Sequence, residues 1–122
     1  MAAAASISSI VLFLAFATAG LQKILFNPVM SRAAEHFGFT KSGYQRIGMA
    51  ELLGALGVLV GLAAAKSSVW GVANELAAGA LALTMALALN LHRRAGDEAK
   101  AMTPALLLGV LALVELVLRL AQ

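Results

Sequence analysis

The stretch Arg46–Ala65, RIGMAELLGALGVLVGLAAA, decides the fold. At about 1.5 Å of rise per residue a helix of this length crosses the hydrocarbon of a bilayer. Beyond Arg46 one charged residue, Glu51, interrupts it. A carboxylate facing lipid is costly, so Glu51 must point toward protein or a hydrated space. Ala50, Gly54, Gly57 and Gly61 fall on one narrow stripe at about 100° per residue. Such a stripe of small residues lets a second helix approach closely. The segment therefore implies a membrane, a helical bundle, and a polar group inside that bundle.

The rest of the chain agrees. Of its 122 residues 61% are hydrophobic and 12% charged, where a soluble domain carries about 25% charged residues. Mean hydropathy is +0.91. Four apolar runs span residues 7–26, 47–65, 69–91 and 104–121. Each is close to the roughly 20 residues a spanning helix needs. Lipid cannot satisfy backbone polar groups, so the runs must be helical, and the alternation of a barrel strand is absent. The expected fold is all-α: one transmembrane domain over residues 1–122, built as an integral membrane four-helix bundle. Ala17-Thr18-Ala19 looks like a signal-peptidase site, but no Lys or Arg precedes the first run and it continues to Phe26. It is expected to be a retained first helix.

The linkers carry their own signals. Asn27-Pro28 stops the first helix. Residues 29–37 place Val29, Met30, Ala33 and Phe37 on one face and Ser31, Arg32, Glu35 and His36 elsewhere, which predicts a short interfacial amphipathic helix ending at Gly38. Tyr44, Arg46 and Trp70 suit the headgroup region, and Pro104 suits a helical first turn. His36 is expected to face water. Seven of the nine Lys and Arg residues (Lys23, Arg32, Lys41, Arg46, Arg93, Arg94 and Lys100) fall on the side of the first and third linkers. The positive-inside rule then puts those linkers in the cytoplasm and both termini outside, in a multi-pass protein of the cell membrane. A net charge of +3 distributed over membrane flanks gives no reason to expect nucleic acid. The chain has no cysteine and two histidines, so thiol chemistry and an all-protein metal site are not expected. The bilayer is the expected partner, together with further copies of the chain or a larger membrane complex.

The polar residues of the spans sort by depth into two layers. Lys23, Glu51, Asn90 and His92 lie near the cytoplasmic ends of three helices. Lys23 shares a face with Ser9, Leu12, Phe16, Ala19 and Gly20. The four residues can form a polar pocket for the head of a lipophilic ligand such as a quinone, an isoprenoid or a sterol. Alternatively Lys23 snorkels and pairs with Glu51 for structural reasons alone. Asn74, Glu75, Glu115, Arg119 and Lys66 form the second layer. There Glu115 and Arg119, four apart with the acid first, read as a structural intrahelical pair. In the third span, Glu75, Gly79, Ala82, Ala86 and Asn90 form a second stripe of mostly small residues.

Two of these segments resemble a family. Gly20-Leu21-Gln22-Lys23 looks like the G-x-x-K of the DoxX-like membrane proteins. Arg46 through Ala55, RIGMAELLGA, is similar to that family's second-helix stretch I-G-x-x-E-L-x-G-A with an Arg before it. His36-Phe37-Gly38-Phe39 and Asn90-Leu91-His92-Arg93 fit as well. The resemblance implies a four-helix membrane fold, and it singles out Lys23 and Glu51. The family takes its name from a subunit associated with quinone-linked thiosulfate oxidation in archaea, and other relatives look like accessory subunits or assembly factors. A thiol relay of the kind proposed for some relatives would need a partner's thiols here. No cofactor is demanded by any motif. The expected role is an accessory or binding subunit for a lipophile, quinone or isoprenoid in type, or for a membrane complex. The alternative is an oxidoreductase or isomerase acting on that lipophile with Glu51 as acid/base.

Overall fold

The computed structural model describes residues 2–64 and 68–121. Among the described residues every regular element is a helix: α1 (Ala2–Leu25), α2 (Pro28–Phe37), α3 (Lys41–Ala63), α4 (Val69–Arg94) and α5 (Ala99–Leu120). All but α2 are long and apolar enough to cross a membrane. α2 is the expected amphipathic segment. Asn27 caps it, its Oδ1 accepting from the Met30 amide at 2.9 Å, and Pro28 stands at its start. Gly38 ends it in the left-handed region (φ 81°), where a side chain would be strained.

α1, α3 and α5 start before their apolar runs and α4 ends after its own, because hydropathy marks the hydrocarbon and not the ends of a helix. Thr40 caps α3 by accepting from Gly43 N at 3.0 Å, which adds the polar turns 41–46. α1 starts in the alanines after Met1, which are strong helix formers. α4 runs on to Arg94. Pro104 is not in the first turn of its helix; α5 begins at Ala99 and takes Pro104 inside it. Pro104 has no N–H to bond the Lys100 carbonyl. Ala65 and Lys66 lie outside the described residues.

The four long helices form a ring in the order α1–α3–α4–α5, with α5 returning to α1. Neighbours are antiparallel, as the contacts show: Gly20 meets Gly48 and Gly61 meets Asn74, and Ser9 meets Glu115. Leu12, Phe16, Ala55, Val58, Ala78, Leu81, Met85 and Ala112 form the core. Ile7, Leu14, Leu53, Leu76, Leu107 and Val117 point outward, each more than half exposed, an apolar belt suited to lipid.

Small residues set the helix spacing. A Cβ on Gly61 would lie 2.3 Å from Asn74 N, one on Gly57 3.0 Å from Ala77 Cβ, and one on Gly54 2.7 Å from Leu81 Cδ2. These three glycines are the α3–α4 seam, as their stripe predicts. Ala50 is not part of it: it is exposed, because at that end α3 turns Gly48 and Glu51 inward and stands apart from α4 around a cavity. The stripe read in the third span is mostly off the interface, although Ala82 packs against the core. Ala86 and Asn90 are exposed and Gly79 faces open space. Gly71, Asn74, Ala78, Leu81 and Met85 are the buried face of α4.

Candidate functional site

α1 and α3 touch backbone to backbone where Gly20 meets Gly48. A Cβ on Gly20 would be 2.5 Å from Gly48 O, and one on Gly48 would be 2.6 Å from Gly20 O. One turn further along each helix stand Lys23 and Glu51. The close crossing brings their side chains together, with Lys23 Nζ 2.9 Å from Glu51 Oε1 and side-chain exposures of 17% and 2%. The Lys23 ammonium also lies 5.7 Å from the centre of the Tyr44 ring, a cation–π distance. Gln45 Nε2 donates to Ile24 O at 2.7 Å and pins the start of α3 to the end of α1. Glu51 Oε2 is buried and has no hydrogen-bond partner among the described residues.

This pair forms the polar end of a cavity of about 520 Å³ among the four long helices, within the range of small-molecule sites. Asn90, His92 and Tyr44 share that end, while Ile47, Met85, Ala88, Leu91 and Leu108 are among its apolar walls. All four residues predicted for the site therefore border one space. Lys23 and Glu51 touch; Asn90 is exposed at the margin. Leu87, 58% exposed, also lines the cavity, so its wall reaches the lipid-facing surface.

His92 and His36 are not simply solvated. Asp97, in the turn between α4 and α5, takes both: His92 Nδ1 lies 2.7 Å from Oδ2, and His36 Nε2 lies 2.7 Å from Oδ1. Gly96 (φ 77°) turns the chain so that the Asp97 amide bonds back to His92 O at 3.0 Å. The hydrogen bonds from His92, and then from His36, hold the Asp97 carboxyl below the ordinary carboxylate range. Three residues of this end escape a reading by hydropathy: Gly48, Tyr44 as a cavity residue, and Asp97. The glycine had a signal. Gly48 precedes Glu51 by three residues as Gly20 precedes Lys23.

The opposite layer is packed shut. Ser9 Oγ donates to Glu115 Oε1. Asn74 Nδ2 donates to Ser9 Oγ at 3.1 Å and to Val58 O at 2.9 Å. Arg119 Nη2 donates to Gly61 O at 3.0 Å and Gly71 O at 3.2 Å. All four side chains are buried. Glu115 and Arg119 both reach across the bundle, Glu115 to α1 and Arg119 to α3 and α4. Glu75 lies partly exposed on the adjoining face. Lys66 is outside the described residues.

Among the described residues no cluster of His, Cys, Asp or Glu is arranged to hold a metal ion. Comparison with curated proteins and with solved structures gives no significant match. A family model described as the DoxX-like family matches residues 7–114. That match takes in α3 and α4 whole and most of α1 and α5, with the Gly20–Lys23 and Gly48–Glu51 segments and the His36–Asp97–His92 bridge, and the chain belongs to the DoxX-like family of small multi-pass membrane proteins.

Proposed function

We propose that the protein is a small accessory or binding subunit of the cell membrane that holds one lipophilic molecule, quinone or isoprenoid in type, with its polar head at Lys23 and Glu51. The observation that supports this is the placement of a buried ion pair at the polar end of a cavity whose remaining walls are mostly apolar and reach the lipid-facing surface. An apolar tail suits the walls. At the polar end the Lys23 ammonium donates, the Glu51 carboxylate accepts, and the Asn90 amide does both. Burying a charged pair is expensive and weak evidence of stability by itself; bordering a cavity, the same pair gives a ligand head two fixed charges to read. The positive-inside count puts this end in the cytoplasm and both termini outside. The apolar belt leaves room for a second copy of the chain or another membrane subunit.

Native mass spectrometry of the protein, extracted together with its lipid, tests the reading. One apolar molecule retained per chain is the expected result. A bare chain, monomeric or oligomeric, would overturn it.

A further inference from the structure

α2 is attached lightly. Ala34 is its one buried residue, and its contacts with the long helices are few. Phe37, its last residue, borders two spaces. With Leu91 and Arg94 it lines the main cavity. The same three residues line a smaller groove of about 360 Å³ together with Glu35 and His36, both exposed. Phe37, Leu91 and Arg94 thus stand between the cavity and an outer groove.

The Phe37 ring is held by aromatic edges on two sides. His36 lies 5.0 Å from it and His92 4.9 Å, both in T-shaped contact. The two imidazoles belong to different helices, α2 and α4, and Asp97 ties them together with one oxygen for each. We propose that the His36–Asp97–His92 bridge is a latch that keeps Phe37 closed as a door between water and the Lys23–Glu51 end of the cavity. Opening of α2 admits water-soluble species to that end, while a lipophile enters from the lipid-facing side near Leu87. The bridge needs only one N–H from each imidazole, so it forms with both rings neutral, and charge on the histidines is not required to shut the door. The purpose of the latch rests on the cavity being a ligand site; its test needs no ligand.

The chain has no cysteine, so Met85→Cys places a single thiol on the cavity wall, at a residue 6% exposed. The protein in lipid nanodiscs is treated with a charged, membrane-impermeant methanethiosulfonate, and the labelling rate is measured. Loss of hydrogen bonds to a carboxylate should speed labelling by about tenfold in Asp97→Ala and in His36→Phe. Phe37→Ala, which removes the door itself, should do the same. A thiol at exposed Ser42 should label at one rate in every background. His36 is exposed, so His36→Phe keeps the test alive if Asp97→Ala does not fold, and Ala88→Cys on the same wall replaces a Met85→Cys protein that does not. Unchanged labelling of the cavity thiol in folded His36→Phe and Phe37→Ala proteins would overturn the latch. Faster labelling in a protein that retains no lipophile would keep the latch and sink the binding role; a retained lipophile with unchanged labelling would do the reverse.

Discussion

The two polar layers of the bundle use similar residues and differ in the space around them. At the end bearing Ser9, Asn74, Glu115 and Arg119, three glycines of α3 draw α4 close, and the polar groups bond to one another and to backbone carbonyls. At the end bearing Lys23 and Glu51, glycines draw α1 and α3 together instead, and α4 and α5 stand back around a cavity. The first arrangement leaves little room for substitution, since a Cβ on Gly61 would meet the Asn74 backbone. The second keeps its charges at a wall, where a ligand can meet them. Polarity inside a membrane bundle marks a candidate site when free volume adjoins it.

Substitutions should separate the layers. The largest loss is expected from Gly61→Ala, whose Cβ would run into the backbone of Asn74; overpacking of this kind costs about 3 kcal/mol, read as a fall in the thermal midpoint in detergent. Gly48→Ala should cost about 2 kcal/mol for the same reason, and by pushing α1 from α3 it should also separate Lys23 from Glu51 and weaken ligand retention. A Gly48→Ala protein that kept both wild-type stability and ligand would break the link between the crossing and the pair. Ser9→Ala removes one bond to a carboxylate and one from Asn74, for about 2 kcal/mol, with no effect on ligand retention.

The smallest effect concerns acid. Hydrogen bonds from His92 and His36 lower the Asp97 carboxyl from its ordinary value of 3.8, so the bridge binds its proton less readily folded than unfolded. Its contribution is complete above that ordinary value and is lost only as pH falls through the lowered folded one. Carbon-13 NMR titration of the Asp97 carboxyl should therefore show a midpoint below 3.8, and His36→Phe should move it back up.

Much of this was legible in the residues. Four long apolar runs gave the spans, and Asn27-Pro28 with Gly38 bracketed α2 because caps and φ preferences are local. Lys23 and Glu51 stood out because charge in a span needs a partner. What stayed hidden depends on how helices rotate and separate. Ala50 continues the stripe of Gly54, Gly57 and Gly61 by spacing, yet α3 and α4 part before reaching it. Glu115 and Arg119 have the spacing of a local pair, and that spacing does not show their bonds to α1, α3 and α4. Asp97 sits in a polar turn like any solvated acid, and the glycine before it, not its own identity, brings it between two histidines.

The central claim is that the Lys23–Glu51 end of the cavity reads a lipophile's head group. Glu51→Gln tests it most directly, because the amide keeps the shape and removes the charge. Native mass spectrometry of wild-type and Glu51→Gln proteins, prepared from the same membranes and matched for folding, should show one apolar molecule held by the wild type and lost from the variant. Equal retention by both would contradict the claim.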